Sequence, residues 1–225
     1  MKIRSLRNSW PMVLFGALLS VSLFAASSLP SSALAAVSEG KEFKRIAPQT
    51  TDVPAGKIEV VEFFSYGCGA CAQLNPQVET WKKTLPADVV FHKVPVSWGR
   101  EQWNAMARVF HALDAIGEES RLSADVFNAL QREGINLTDK KIFLDWAEKK
   151  GGDRKKLEGL YDSFAVNSKV MQGNKKAENY KVQSVPRFYI NGRYEINTDA
   201  FGSAAQMFSG IDEVIAIARK ETSKK

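Results

Sequence analysis

The sequence predicts an α/β fold into which an all-helical domain is inserted. Three observations carry this expectation. The run Ile58-Glu59-Val60-Val61-Glu62-Phe63-Phe64, rich in β-branched and aromatic residues, leads through Tyr66-Gly67 into Cys68-Gly69-Ala70-Cys71 and a helix-like stretch. From Val96 to Val185 there is no proline, and apolar residues recur at helical spacing. Strand character then returns around Asn191-Gly192, a strong short hairpin signal.

In chain order, Met1 to Trp10 carries Lys2, Arg4 and Arg7 and no acid, and Pro11 to Leu29 carries no charge, the outline of a secretory signal peptide. Ala33-Leu34-Ala35 offers small residues at the two positions a signal peptidase inspects, which places cleavage after Ala35 and assigns residues 1–35 to the leader. The alternative is an uncleaved anchor, because the uncharged run is just long enough to span a bilayer; its serines and small-residue exit favour cleavage. No cysteine follows the run to take a lipid. Losing the three leader cations halves the net charge of +6, and so mild an excess argues for neither nucleic acid nor an anionic membrane as partner.

Ala36 to Gly56 is polar, with Pro48 and Pro54, and reads as an exposed lead-in holding one short edge strand around Phe43 to Ile46. Ile58 to Ser65 is the central strand, Cys68 to Leu85 the helix after it, Pro86-Ala87-Asp88 a turn and Val89 to Val94 the next strand. Together they make a parallel, right-handed β-α-β unit. Pro76 breaks one backbone hydrogen bond inside that helix. His92 falls in a strand, with no catalytic part. Four apolar stripes follow: Trp103, Met106, Ala107, Phe110 and Leu113; Val126, Phe127 and Leu130; Ile142, Phe143, Trp146 and Ala147; Leu157, Leu160, Tyr161 and Phe164. Glycines at 117, 134, 151 and 152 punctuate them, and Ser123, Thr138 and Asp153 are the expected N-caps. The stripes fit a bundle core better than a cofactor box. The basic run Lys149, Lys150, Arg154, Lys155, Lys156 fits a solvated face better than a docking patch. Pro186, with no N–H to donate, belongs at a sheet edge or in a special bond. Arg193 to Ile196 closes the hairpin, and a last helix covers the sheet with Met207, Phe208, Ile211, Val214, Ile215 and Ala218. The mature chain thus divides into a discontinuous α/β domain, 36–97 with 181–225, and a helical insertion, 98–180.

Cys68 and Cys71 are the only cysteines, spaced so that one helical turn closes a disulfide between them. At a helix start, free backbone N–H groups and the positive end of the dipole favour a thiolate, so Cys68 is the attackable sulfur. A structural staple is the weaker alternative, since so small a ring constrains little of the unfolded chain. A zinc half-site would need two more ligands, and His92 and His111 match no common ligand spacing. Export sharpens the redox reading, because an oxidising compartment is where a dithiol works as an oxidant. A strand, a sharp turn and a helix that starts at the reactive group form a thioredoxin-type arrangement.

With the leader, Glu62-Phe63-Phe64-Ser65-Tyr66 before Cys68-x-x-Cys71, the helical insertion, and Ser184-Val185-Pro186 opening the Asn191-Gly192 hairpin, the chain resembles the DsbA family of periplasmic thiol:disulfide oxidoreductases over its whole mature length. C-x-x-C alone is not specific; these motifs in this order are. The resemblance implies a thioredoxin-like fold with Cys68 as nucleophile, Cys71 as its buried partner and Pro186 as a cis-proline facing the disulfide. It places Val185 where an extended substrate pairs, and Glu62 where the family keeps a buried acid beneath the cysteines. A carboxylate out of water there takes a raised pKa and assists proton transfer at Cys71. The alternative is a strand glutamate that faces outward, since alternation puts Glu62 on the face opposite Phe63 without saying which face is covered. It implies an enzyme that introduces disulfides into unfolded or folding exported proteins with free cysteines, a periplasmic monomer without cofactor or metal. A membrane quinone reductase similar to DsbB would reoxidise it. The chain departs from the family's best-known members at Gly69 and Ala70, where they carry Pro-His. That histidine helps stabilise the thiolate, so Gly69-Ala70 implies a weaker oxidant. A periplasmic reductase or isomerase would use the same cysteines, although isomerases add a dimerisation domain for which this chain has no room. A redox-inert chaperone or binding protein on the same fold is the non-enzyme alternative.

Overall fold

Five strands form one mixed sheet in the computed structural model, which describes residues 37–222; the expected leader 1–35 and its cleavage site lie outside the described residues. The strands are β1 (Phe43–Arg45), β2 (Ile58–Phe64), β3 (Val89–Pro95), β4 (Arg187–Ile190) and β5 (Tyr194–Ile196), ordered β1-β5-β4-β2-β3 across the sheet. β2 runs parallel to β3 and antiparallel to β4, and β5 is antiparallel to both β4 and β1. The described helices are α1 (Gly69–Trp81), α2 (Glu101–Ala115), α3 (Glu119–Gln131), α4 (Lys140–Lys149), α5 (Arg154–Tyr161), α6 (Phe164–Asn179) and α7 (Ala204–Thr222). This is a thioredoxin-like fold with α2 to α6 between β3 and β4 in sequence.

Every residue of β2 is buried, because both faces of the strand are covered. Ile58 and Val60 pack on one face with Val78 and Trp81 of α1 and with Phe208, Ile211 and Ile215 of α7. Val61 and Phe63 pack on the other with Ala177 of α6, Tyr180 and Val182. At its end the strand meets the helices: Phe64, Tyr66 and Cys71 share one core with Phe110, Leu113, Leu122, Phe127 and Phe143. Burying aromatic and aliphatic groups of this size stabilises by about 2 kcal/mol each before entropy is set against it. The reactive turn therefore lies where the sheet's core and the helical core join.

Several expectations need correction. Leu157, Leu160, Tyr161 and Phe164 do not form one stripe: α5 ends at Tyr161, and Ser163 caps a new helix by accepting the Val166 N–H at 3.2 Å. Phe164 stands 85% exposed at the start of α6, whose buried line Val166, Val170, Gly173, Ala177 is made of residues too small to mark a stripe. Ile142 is exposed, while Leu144 turns inward beside Phe143, Trp146 and Ala147. Asp153 caps α5 as expected, but Asp139 rather than Thr138 caps α4 through the Ile142 N–H at 2.9 Å. Ser123 is buried inside α3. The active-site helix ends at Trp81 and continues only as a 3₁₀ turn, Lys82–Thr84. The hairpin pairs Ile190 with Tyr194, leaving Asn191, Gly192 and Arg193 in the loop. Gly192 has φ +62°, and a Cβ there would lie 2.4 Å from the Gln49 carbonyl oxygen, so the lead-in's approach demands glycine.

Candidate active site

The site begins with the turn that ends β2. The Ser65 carbonyl accepts the Cys68 N–H at 3.0 Å, and the Ser65 hydroxyl accepts the Gly67 N–H at 3.1 Å. Gly67 is fitted against α2: a Cβ there would meet Met106 Sδ at 3.1 Å and the Trp103 ring at 3.3 Å. Cys68 has extended φ and ψ and is the N-cap of α1, its sulfur accepting the Cys71 N–H at 3.1 Å. The two cysteines are disulfide-bonded with Cα atoms 5.2 Å apart. Cys68 is partly exposed, whereas Cys71, one turn in, is 1% exposed. Gly69 and Ala70 are exposed and bring no side-chain donor near the sulfurs. Pro76 sits inside α1, where its missing N–H leaves the Ala72 carbonyl without its helical donor.

A second segment closes on the disulfide. The peptide bond between Val185 and Pro186 is cis, and the Val185 carbonyl oxygen lies 3.4 Å from Cys68 Sγ. Pro186 directly precedes β4, an interior strand, so of its two expected settings the special bond applies and the sheet edge does not. Gln131, the last residue of α3, donates its amide to the carbonyls of Tyr66 at 2.7 Å and Cys68 at 3.2 Å, tying the helices to the reactive turn. An exposed glutamine at a helix end carries no sequence signal, and nothing in the chain's pattern marks it.

Beneath α1 lies a buried group of charges. Strand alternation puts Glu62 on the same face as Val60, the face that α1 covers, and it is 2% exposed, its Oε2 without a hydrogen-bond partner among the described residues. Burial pushes its pKa up to about 7; Lys93 opposes this and the Glu119 charge adds to it. Lys93, opposite Glu62 in the ladder, is almost enclosed. Its ammonium donates to Glu119 Oε1 at 3.0 Å, to Asn75 Oδ1 at 3.1 Å and to Ser123 Oγ at 3.1 Å. Burial disfavours that charge, but Glu119 and Glu62 outweigh it and hold the lysine above its ordinary pKa. Tyr66 donates its hydroxyl to Glu119 at 3.1 Å, and burial with the Glu119 charge pushes the phenol well above its usual value. A lysine within the apolar run Val89 to Val94 was the available sign of this group; Asn75, Glu119 and Ser123 come from two helices and meet it only in three dimensions. His92 and His111 lie elsewhere, along a groove beside β3. Among the described residues, no three His, Cys, Asp or Glu side chains are placed to hold a metal.

A disulfide at the N-terminus of the helix that follows the central strand, with a proline-led segment against it, defines a thiol:disulfide oxidoreductase of thioredoxin fold. Known proteins extend this. Residues 59–214 match the DSBA-like thioredoxin domain. The chain is 34% identical over 200 residues to thiol:disulfide interchange protein DsbA of Pseudomonas syringae pv. tomato, covering 88% of this chain and 93% of that one. It is 34% identical over 207 residues to its namesake in Bordetella parapertussis, covering 92% and 98%. The crystal structure of Pseudomonas aeruginosa DsbA matches with a TM-score of 0.76 at 33% identity, over 83% of this chain and 96% of that one. The chain belongs to the DsbA-like thioredoxin-domain family and is an enzyme, a thiol:disulfide oxidoreductase that meets its protein substrates by disulfide exchange at Cys68 and Cys71.

Proposed function

We propose that the enzyme is an oxidase that introduces disulfide bonds into exported proteins in the periplasm, with 36–97 and 181–225 as its redox domain and 98–180 as a helical insertion. The difference between its sulfurs carries this reading: Cys68 is partly exposed at a helix start, and Cys71 is buried. A substrate thiolate attacks Cys68 Sγ, the Cys68–Cys71 bond breaks, and its electron pair leaves on Cys71 as a thiolate that takes up a proton. A second substrate thiolate then attacks the substrate sulfur of the mixed disulfide and expels Cys68 as a thiolate. The substrate gains one disulfide, and the enzyme holds the two electrons.

Cys68 is the better leaving group, since the Cys71 N–H and the positive helix end stabilise its charge. Glu62, with a pKa near 7, holds or releases a proton at working pH and serves Cys71. The Val185 carbonyl beside Cys68 and the Pro186 that follows it receive an extended substrate chain. A membrane quinone reductase similar to DsbB returns the pair to the disulfide, the oxidoreductase acting as a monomer. No described helix is long and apolar enough to cross a membrane. Trapping the thiols by rapid acid quench and alkylation in the native compartment tests this. An oxidised Cys68–Cys71 pair is expected, and a pair found mostly reduced would assign the enzyme to reduction or isomerisation. For Glu62, the pH profile of thiol exchange in Glu62→Gln decides: an unchanged profile removes it from proton transfer.

A further inference from the structure

β3 is an outer strand of the sheet, and its hydrogen bonds to β2 are bracketed by Ile58 N–H to Asp88 O at 2.8 Å and Val96 N–H to Phe64 O at 2.9 Å. In a parallel ladder, this phase turns the N–H and C=O of Val90, His92 and Val94 toward β2 and those of Phe91 and Lys93 outward. Among the described residues, no backbone or side-chain group pairs with these outward groups. Such an edge is a template for another strand. A groove of about 1100 Å³ runs along it, bordered by the 3₁₀ turn that follows α1 and by α2, the start of α3 and α6, and neither cysteine nor Pro186 lines it. α6 closes the groove at the far end of β3, where Gly173 sits so near the Pro95 carbonyl that a Cβ would be 3.1 Å away.

Two further features describe what the groove would hold. Lysines outnumber carboxylates along it, and although Lys82, Lys93, Lys175 and Lys176 are held in ion pairs, Lys83 and Lys169 leave positive charge at the rim. Lys83 and Lys169 are exposed; Lys83 has no ion pair among the described residues, and Lys169 has only a half-exposed one to Asp114 at 3.3 Å, of a kind worth little in water. Inside the groove, His111 is 8% exposed and neither of its ring nitrogens has a partner among the described residues, nor has the buried Nε2 of His92. A neutral imidazole offers one donor and one acceptor, the complement of a peptide group. We propose that this groove is a docking site apart from the disulfide, where an extended acidic segment of another protein adds as a strand to the β3 edge. The segment's backbone pairs with Phe91 and Lys93, its carboxylates meet the rim lysines, and a peptide group satisfies His111.

The test titrates the oxidised protein with an end-capped peptide of alternating glutamate and valine, about eight residues long to span the edge at roughly 3.3 Å per residue. Saturable binding is expected, with amide shifts centred on Val89 to Val94 and slowed hydrogen exchange at the Phe91 and Lys93 N–H groups. The same peptide methylated at every backbone nitrogen should not bind, nor should its lysine–valine counterpart. Lys83→Glu combined with Lys169→Glu should weaken binding about tenfold and leave the rate of insulin reduction unchanged. Absence of saturable binding, indifference to methylation or to charge reversal, or shifts centred on Cys68 and Val185 would each overturn the proposal.

Discussion

Cys68 and Cys71 are chemically identical and differ in what surrounds them. Cys71 is 1% exposed and packed in the helical core, while Cys68 caps α1 in reach of solvent. In the reduced protein, brief iodoacetamide treatment should therefore label Cys68 alone, as read by mass spectrometry; equal labelling of Cys71 would reverse the roles. Ala70→His should lower the Cys68 pKa and raise the reduction potential together, because Gly69 and Ala70 leave the thiolate to backbone donors only. The expected gain is about 30 mV for each pKa unit below the working pH, measured by glutathione equilibration and by thiolate absorbance. Glu62 makes a prediction about stability. Its folded pKa of about 7 lies above the ordinary 4.5. A raised pKa contributes stability in full below the unfolded value and loses it as pH rises through the folded one. Ionising Glu62 thus costs the native state on the order of 3 kcal/mol by pH 8. In urea unfolding of the oxidised protein, Glu62→Gln should gain on the parent between pH 5 and pH 8. A constant difference across that range would show that Glu62 is already ionised at pH 5 in the folded protein, as in the unfolded chain, and that burial does not raise its pKa.

Among the elements, the β4–β5 hairpin and the start of α1 show how local signals are completed by neighbours. Asn191-Gly192 is a turn signal in any context, but the fit of the Gln49 carbonyl against Gly192 belongs to this fold. Gly192→Ala combines a left-handed φ with that clash and should lower stability by about 1–3 kcal/mol in thermal or urea unfolding, with activity per folded molecule retained. A neutral result would mean that the lead-in from Ala47 to Gln49 can move aside. At the other end of the sheet, Gln131 holds the carbonyls of Tyr66 and Cys68, so α3 helps to shape a turn more than sixty residues before it. Helix α6 was hidden because its buried positions are Val, Gly and Ala, which carry too little hydrophobic contrast for a 3.6-residue period to emerge.

For the whole molecule, the consequential feature is that the helices and the end of β2 share one core. Phe64 stacks edge-on against Tyr66 at 5.3 Å and against Phe110 at 5.3 Å, and Tyr66 meets Phe127 at 4.8 Å. Contacts of that kind couple the two halves, so far-UV and near-UV circular dichroism should report one unfolding transition. Two separated transitions would show that the helices melt independently of the sheet. Leu113→Ala, in the shared core, should lower the stability seen by both probes by about 2–5 kcal/mol.

By itself the sequence determined what depends on neighbours along the chain: the β-α-β order, the helical character between Val96 and Val185, the hairpin, and the placing of Cys68 at a helix start with Cys71 one turn inside. Each follows from periodicity, turn chemistry or the reach of a single turn, which act over a few residues. The family resemblance supplied the segment from Ser184 to Pro186 as a partner of the disulfide. Only the tertiary structure decided which face of β2 is covered by α1, and hence that Glu62 is buried beside Lys93 with its pKa near 7. It alone brought Asn75, Glu119 and Ser123 around one ammonium, set Gln131 on the reactive turn, and left the outer edge of β3 open. The reason is physical: burial, ion pairing and unpaired sheet edges are created by contacts between segments far apart in the chain, and no local pattern records them.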